Sequence, residues 1–208
     1  MIPNCLKDKF TSYFFIILIY LLSPSAQAKH LVIFGDSLSA AYGMDLEQGW
    51  AHLLSLQLDG THKVSNASIS GETSSGGLAR LPVTISELKP DVVMLELGAN
   101  DGLQGLSISA MRSNLEKMIM LLQAQNIEVA LVGISLPASY GPRYIDKFRA
   151  AYSELAAQYK LPFIDFYRED FFLEPDFIQQ DGLHPTAKTQ GIVKDFVLDF
   201  LNDHQLLN

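Results

Sequence analysis

The chain has 208 residues, with 15 basic and 23 acidic side chains, a formal net charge of −8 and a single cysteine. This length suits one α/β domain better than two. There is no basic stripe or run of clustered lysine and arginine, and an acidic protein is repelled by phosphate backbones and anionic membrane surfaces. The composition therefore argues against a nucleic-acid-binding protein.

The first 28 residues have the pattern of a secretory signal peptide. Lys7 and Lys9 give a positively charged start, residues 14–22 are continuously apolar, and Ala26-Gln27-Ala28 offers the small residues behind which a signal peptidase cuts. We expect cleavage after Ala28. An uncleaved membrane anchor is the alternative, but the apolar stretch is well short of the ~20 residues that span a bilayer.

The mature chain expected from this cleavage is acidic and contains no cysteine. Cys5, the only cysteine, precedes the apolar stretch and would be removed with it. The remainder carries 13 basic and 22 acidic side chains, a net charge of −9. Without disulfides, a secreted domain of about 180 residues depends on its hydrophobic core, which this length allows. We expect a periplasmic or secreted protein with no stable membrane anchor.

From residue 31 onward, predicted strands and helices alternate. Short runs rich in apolar and β-branched residues predict strands, and apolar residues at helical spacing predict helices. The predicted strands are residues 31–34, 62–67, 92–97, 128–134 and 161–166. The predicted helices are residues 46–58, 78–89, 109–125, 144–159 and 186–201. This alternation, without a repeat or a linker, predicts one α/β domain at residues 29–208, built on a doubly wound parallel sheet.

Polar turns follow the first three predicted strands. Ser37 lies in the first turn, Gly71 in a glycine-rich loop at residues 70–77, and Asn100 in a turn at residues 98–102. The carboxyl ends of parallel strands share one edge of a sheet, and ligands bind there near the switch in strand order. We therefore expect Ser37, Gly71 and Asn100 to converge at this edge.

Each of these residues also has an ordinary structural explanation. Gly35-Asp36-Ser37 is a common turn and helix N-cap, because aspartate and serine side chains accept hydrogen bonds from backbone N–H groups. Gly71 can simply give a loop its flexibility, and Asn100 can form a turn or cap a helix. A serine nucleophile requires, in addition, a base and hydrogen-bond donors for the developing oxyanion.

Among the five histidines, His184 is the best candidate for that base. It lies in a short turn before the last predicted helix, three residues after Asp181. In such a turn Asp181 can accept the Nδ1 proton, which leaves Nε2 free to take a proton from Ser37. The same two residues could instead cap the last helix or bind a metal.

Four segments, in this order, resemble the sequence blocks of the SGNH, or GDSL-type, hydrolases. They are Gly35-Asp36-Ser37-Leu38, residues 66–73 around Gly71, Gly98-Ala99-Asn100-Asp101, and Asp181-Gly182-Leu183-His184-Pro185. The resemblance covers nearly all of the chain after residue 28. It is strongest to a periplasmic group of multifunctional thioesterases, arylesterases and lysophospholipases, which shares runs similar to residues 78–82 and 136–141.

This resemblance implies a flavodoxin-like sheet of five parallel strands and a hydrolase that needs no metal and no organic cofactor. It implies Ser37 as the nucleophile, with Asp181 and His184 completing a catalytic triad. The oxyanion would accept hydrogen bonds from the backbone of Ser37, the backbone of Gly71 and the side chain of Asn100. The partners implied are small-molecule acyl esters or thioesters, and we expect the protein to act as a monomer.

Apolar side chains after the third, fourth and fifth predicted strands indicate a groove for a medium or long acyl chain. The candidate substrate-binding residues are Leu103, Leu106, Tyr140, Phe171 and Phe172. Gly102 and Gly105 bracket a short segment that could move as a lid when an acyl chain enters. The alternative is that these apolar side chains belong to the packed core.

Two other functions stay open from the sequence. A polysaccharide O-deacetylase would use the same residues on a sugar-bound acetyl group, and aromatic side chains suited to stacking on sugars would support it. The only tryptophan, Trp50, instead fits the core of a helix. A non-catalytic acyl-lipid binding protein would keep the sheet, but it has no need of Ser37, Asp181 and His184 together.

If residues 1–28 are a signal peptide, the mature protein begins at Lys29. Signal peptidase cuts behind the small residues at positions 26 and 28, so the native protein should consist of residues 29–208. Intact-mass spectrometry of the protein purified from its natural source measures this directly. A native protein that retains residues 1–28 would overturn the prediction.

Overall fold

A computed structural model describes residues 28–166 and 175–208 of the chain. Five strands form one sheet in which every neighbouring pair is parallel. The strands are β1 (His30–Gly35), β2 (Lys63–Asn66), β3 (Val92–Glu96), β4 (Glu128–Gly133) and β5 (Phe163–Asp165), and their order across the sheet is β2-β1-β3-β4-β5. The predicted five-stranded parallel sheet is confirmed.

Helices connect the strands and cover both faces of the sheet. They are α1 (Trp50–Gln57), α2 (Ser74–Leu88), α3 (Ala99–Leu103), α4 (Ile108–Gln123), α5 (Pro142–Tyr159) and α6 (Ala187–Asp203). Three-residue 3₁₀ turns lie at Leu46–Gln48, Ala138–Tyr140 and Pro175–Phe177. Within the described part of the chain, no helix is both long and apolar enough to cross a membrane.

Successive residues of the central strands face opposite sides of the sheet, so the core has two halves. Val32 and Phe34 of β1 contact the half that contains α2, α4 and α5, whereas Leu31 and Ile33 contact the half that contains α1 and α6. All six residues of β1 and all five of β3 are buried. Strands covered on both faces require this nearly continuous apolar composition.

Helix α2 begins four residues before its predicted start, and the prediction of a glycine-rich loop up to residue 77 is wrong. The Thr73 hydroxyl accepts a hydrogen bond from the Gly76 backbone N–H at 3.3 Å and caps the helix. A Cβ at Gly77 would collide with Leu97 and lie 3.3 Å from Phe34. Glycine therefore serves close packing of helix against sheet here, and loop flexibility is not its role.

The predicted helix at residues 46–58 is interrupted at Gly49. Leu46–Gln48 forms a 3₁₀ turn, and α1 starts only at Trp50. A Cβ at Gly49 would lie 2.7 Å from the Ala41 Cβ, so the chain passes close to the loop after β1 at this point. Trp50 is 1% exposed, which agrees with its predicted place in the core.

The switch in strand order lies between β1 and β3. The chain passes from β1 to β2 on one side and then returns to place β3 on the other side of β1. In doubly wound sheets the connections leave a crevice at this point, outside the carboxyl ends of the strands. Ser37 follows β1 and Asn100 follows β3, so both lie at this crevice.

Gly98 is the position where the fold depends most clearly on glycine. Its φ of +121° is unfavourable for other residues, and an added Cβ would collide with the Tyr152 hydroxyl and lie 2.8 Å from the Met111 sulfur. We expect Gly98→Ala to lower the free energy of unfolding by about 1–3 kcal/mol, measured by urea denaturation.

Gly191 in α6 provides the matched control for this substitution. Apart from its chain neighbours and the backbone of its own helix, no atom lies within 4 Å of the place where its Cβ would be. Because alanine is the better helix former, Gly191→Ala should raise the free energy of unfolding by about 0.5–1 kcal/mol. Equal effects of the two substitutions would contradict the packing explanation for Gly98.

Candidate active site

The turn after β1 is held rigidly and presents Ser37 at the carboxyl edge of the sheet. The Asp36 carbonyl accepts a hydrogen bond from the Ala40 N–H at 3.0 Å, and the Asp36 side chain accepts one from the Leu38 N–H at 3.1 Å. The indole N–H of Trp50 donates to the Leu38 carbonyl at 3.1 Å. The backbone on both sides of Ser37 is therefore fixed.

Trp50 also ties this turn to the helix that follows His184. Its backbone N–H donates to the side-chain oxygen of Gln190 at 2.9 Å, and both residues are buried. Gln190 lies in the first turn of α6. One residue thus contacts both the segment that carries Ser37 and the segment that carries His184.

Ser37, His184 and Asp181 form a continuous chain of hydrogen-bonding distances. His184 Nε2 lies 2.8 Å from Ser37 Oγ, and His184 Nδ1 lies 2.7 Å from Asp181 Oδ2. The other Asp181 oxygen accepts the backbone N–H groups of Leu183 at 2.9 Å and of His184 at 3.0 Å. In this geometry an imidazole can accept the serine proton while a carboxylate orients its ring.

The hydrogen bonds around Asp181 keep its carboxyl group ionised. Burial by itself would raise the pKa of Asp181, but the bonds from the His184 ring and from the backbone N–H groups of His184 and Leu183 outweigh it. The pKa of Asp181 is consequently below its ordinary value. A negative charge next to Nδ1 favours the imidazolium that forms when His184 takes a proton.

Two further residues hold His184 in place, and no sequence pattern singles them out. The Tyr42 ring lies over the His184 ring, with centroids 4.3 Å apart and planes inclined at 33°. The Gln179 backbone N–H donates to the His184 carbonyl at 2.8 Å, and its side-chain amide donates to the carbonyls of Tyr42 at 2.8 Å and Pro185 at 3.0 Å. Gln179 therefore connects the segment that contains Tyr42 with the segment that contains His184.

Gly71 and Asn100 follow the two strands that flank β1; Asn100 lines the same cavity as Ser37, whereas Gly71 is exposed and is not part of its lining. In the described residues, the backbone N–H groups of Ser37 and Gly71 donate no hydrogen bond, so both remain available to a ligand. Asn100 lies in the first turn of α3, and the predicted plain turn at residues 98–102 is wrong in this detail. Its side-chain amide donates to Asp36 Oδ2 at 3.2 Å and to the Glu72 carbonyl at 3.0 Å.

Two carboxyl groups, of Asp36 and Glu96, are buried directly beneath this site. Asp36 is 0% exposed and Glu96 is 1% exposed. Burial raises the pKa of Asp36 to about 6, although bonds from Leu38 and the neighbouring side chains oppose the rise. Burial, followed by the charge of Asp36, raises the pKa of Glu96 well above its ordinary value. The only sequence signal for Glu96 is an acidic residue at the end of an otherwise apolar strand.

A cavity of about 340 Å³ opens at Ser37 and His184 and extends toward the N-terminal ends of α1 and α6. Its walls are mainly apolar. The described residues that line it include Leu38, Trp50, Leu103, Ile134, Leu136, Pro137, Phe166, Ile178, Leu183 and Val193. This volume lies within the range of small-molecule sites in proteins.

The residues predicted for an acyl groove fall in different places. Leu103 lines the cavity, whereas Leu106 and Tyr140 are 45% and 37% exposed and are absent from its lining. Phe171 and Phe172 lie outside the described residues. The Tyr140 hydroxyl donates to the Leu103 carbonyl at 2.8 Å, which connects the two loops.

The proposed lid has one rigid end. Gly102 is buried within α3, and a Cβ there would lie 2.8 Å from both Leu136 and Phe148, so this glycine serves close packing. Gly105 has a φ of +67° and open space around it. Of the two glycines, Gly105 alone has the conformation of a flexible turn.

Among the described residues, the His, Cys, Asp and Glu side chains form no group of three or more that could hold a metal ion. The His184 ring contacts Asp181 through Nδ1 and Ser37 through Nε2.

Comparison with known proteins assigns the family. Residues 33–192 match the GDSL-like Lipase/Acylhydrolase family. The chain is 44% identical over 173 residues to Esterase TesA from Pseudomonas aeruginosa, an alignment that covers 82% of this chain and 86% of that protein. It is 40% identical over 183 residues to Thioesterase 1/protease 1/lysophospholipase L1 from Escherichia coli K12, with 88% of each chain covered.

A solved structure agrees with these sequence matches. The psychrotrophic esterase EstA from Pseudoalteromonas sp., in a structure inhibited by monoethylphosphonate, superposes with a TM-score of 0.81 at 38% identity. The match covers 86% of this chain and 100% of that one. The fold, the ordered sequence blocks and these relatives lead to one conclusion: the chain belongs to the GDSL-like lipase/acylhydrolase family.

Proposed function

We propose that this protein is an exported serine hydrolase that cleaves carboxylic ester and thioester bonds through an acyl-enzyme. Ser37 Oγ attacks the acyl carbon while His184 Nε2 takes its proton. This converts His184 into an imidazolium, which then gives the proton to the departing alkoxide or thiolate. In the second half-reaction, water repeats the attack with His184 as base, and Ser37 leaves as the hydroxyl.

The observation that carries this proposal is the unbroken contact from carboxylate to imidazole to hydroxyl. Its two distances, 2.7 Å and 2.8 Å, connect residues from opposite ends of the described chain. A capping role for Asp181 and His184 would leave Nε2 without a specific partner, and here that nitrogen faces Ser37 Oγ. The Asp181 carboxylate keeps Nδ1 protonated, and so leaves Nε2 free to act as the base.

Two backbone donors are free for the oxyanion of the tetrahedral intermediate, and the side chain of Asn100 provides a third when it exchanges one of its present partners. The backbone N–H groups of Ser37 and Gly71 have no other acceptor among the described residues. Asn100 contributes the amide hydrogen that is now bonded to the Glu72 carbonyl, while its other hydrogen stays on Asp36. Fixed donors of this kind stabilise negative charge as it develops and usually provide a large share of the catalytic effect.

The substrate class follows from the cavity beside Ser37. Its walls are mainly apolar, which fits an acyl chain better than a sugar. The relatives are named as an esterase and as a thioesterase, protease and lysophospholipase, and these names support ester and thioester substrates for this chain. The signal-peptide pattern of residues 1–28 supports export to the periplasm or the exterior.

The nucleophile and the base should act as a unit. Ser37→Ala and His184→Ala should each lower kcat by a factor on the order of 10⁴ or more, and the double variant should be scarcely worse. Turnover of p-nitrophenyl esters measures the loss, and a fluorophosphonate probe should label the native protein but not Ser37→Ala.

Ser153→Ala and His52→Ala make the same chemical changes away from the site and serve as controls. Both should keep the native kcat. If either Ser37→Ala or His184→Ala keeps most of its kcat while remaining folded by circular dichroism, the assigned triad is wrong. Folded native protein that resists the probe would support a non-catalytic acyl-lipid binding protein.

The cavity predicts a preference for acyl chains longer than acetyl. Each methylene that becomes buried is worth up to ~0.8 kcal/mol, nearly fourfold in kcat/KM. For esters with one leaving group, kcat/KM should rise from acetyl to at least hexanoyl. A flat or falling series would contradict this prediction and favour the polysaccharide deacetylase.

Substitutions at Leu103 and Leu106 test where the acyl chain binds. If the chain enters the cavity, Leu103→Ala should flatten the series and Leu106→Ala should leave it unchanged, because only Leu103 lines the cavity. The opposite result would place the acyl chain in a groove on the surface beside residues 102–106.

A further inference from the structure

Glu96 is an acidic residue enclosed by the turn that carries Ser37. Its Oε2 atom accepts hydrogen bonds from the Ser39 hydroxyl at 2.8 Å and from the Asp36 backbone N–H at 3.2 Å. A Cβ at Gly35 would collide with the same oxygen. The carboxyl group of Glu96 therefore supports the turn from below, yet it is 1% exposed and does not line the cavity at Ser37.

The second oxygen, Glu96 Oε1, is buried and has no hydrogen-bond partner among the described residues. Asp36 is the direct neighbour of Glu96, because its backbone N–H donates to Glu96 Oε2 at 3.2 Å, and each of the two carboxyl groups shifts the pKa of the other. No lysine or arginine in the described part of the chain pairs with either group. Two adjacent buried carboxylates without a cation repel each other strongly, so such a pair retains one proton.

The proton belongs on Glu96 in this arrangement. Asp36 already accepts hydrogen bonds from the Leu38 N–H and from Asn100, and both favour its charged form. The other ionisable group that bears on Asp36 is His184, and its charge, when the imidazole is protonated, also favours a carboxylate at Asp36. Burial and the charge of Asp36 raise the pKa of Glu96 well above its ordinary value, and a proton changes its unsatisfied oxygen from an acceptor into a donor.

The remaining ionisable groups near the pair are Tyr152 and Asp101. Tyr152 is buried, and burial together with the charges of Asp36, Glu96 and Asp101 raises its pKa well above the ordinary value, so it stays neutral. Asp101 accepts hydrogen bonds from the Ser74 hydroxyl at 2.6 Å and the Ser74 N–H at 2.7 Å. Neither group supplies a positive charge to balance a second carboxylate.

We propose that Glu96 is a positioning residue of the oxyanion hole: as a neutral acid it donates a hydrogen bond to the Asp36 carboxylate, which orients the side-chain amide of Asn100. This inference rests on the proposed role of Asn100 in binding the oxyanion. The chain of contacts runs from β3, through the turn after β1, and back to α3. Glu96 thus acts on catalysis without touching the substrate.

A double-mutant cycle between Glu96 and Asn100 tests the proposal. Assays at about pH 8 lie above the pKa of about 6 of Asp36. Asn100→Ala should lower kcat by about 10²–10³-fold, the usual loss of one oxyanion donor. Glu96→Met, similar in size but without hydrogen bonds, should lower kcat by about 10–100-fold with KM changed less than about threefold, since misplaced groups cost this much. In the Asn100→Ala background, Glu96→Met should cost less than about threefold.

Two further variants separate positioning from a purely structural effect. Glu96→Gln should retain most of the native kcat, because its amide can donate to Asp36 while its oxygen accepts the bonds from Ser39 and Asp36. Tyr152→Phe is the control, since it removes a buried hydrogen bond of 3.0 Å to the Leu97 carbonyl beside Glu96. Tyr152→Phe should lower the free energy of unfolding, and its effect on kcat should be additive with that of Asn100→Ala. Fluorophosphonate titration normalises every kcat to the number of active sites.

Three outcomes would each overturn the proposal. The losses of kcat in the double-mutant cycle could be additive, or Glu96→Met could keep the native kcat. Glu96→Gln could also be as impaired as Glu96→Met. Infrared spectroscopy with ¹³C-labelled glutamate keeps it testable if Glu96→Met does not fold. The native protein at neutral pH should show a protonated carboxyl band that is missing from Glu96→Gln, and its absence would refute a neutral Glu96. Ser37→Ala reports on the proposed function separately, because its inactivity does not depend on Glu96.

Discussion

The pairing of β1 with β3 is the contact on which the site depends. In this register Gly35 lies opposite Glu96, at the last paired position of the two strands. The two chains leave the sheet together from that point, so the turn with Ser37 and the helix with Asn100 begin side by side. A shift of one residue would move each side chain of the shifted strand into the opposite half of the core, and the packing on both faces of the sheet prevents this. The hydrophobic core thereby fixes the relative positions of polar residues that are far apart in sequence.

Much of this arrangement could be predicted from the sequence, because it repeats a simple pattern. The alternation of apolar runs predicted all five strands, and the predicted helices differ from the observed ones mainly at their ends. The errors occur where glycine has a packing role: Gly49 interrupts one helix, and Gly77 lies inside another. Sequence patterns treat glycine as a sign of flexibility, but its close contacts appear only when neighbouring elements are in place.

The residues of the site likewise fall into those that could be predicted from the sequence and those that could not. Ser37, Asn100, Asp181 and His184 were predictable because they follow strands or share one short turn, and sequence spacing describes both. Glu96, Tyr42 and Gln179 were missed, since their importance comes from neighbours that the sequence does not place next to them. An acidic residue at the end of a buried strand is a weak signal by itself. The register of β1 and β3 gives it meaning.

Trp50 connects the two halves of the site through its indole and its backbone N–H, which bind Leu38 and Gln190 respectively. It is also the single tryptophan of the chain. The tryptophan emission of the protein therefore comes from the joint between the turn that carries Ser37 and the helix that follows His184. A change in emission on ligand binding or gentle heating would report movement at this joint. The fluorescence of Trp50 therefore reports on the relative position of the segments that carry Ser37 and His184.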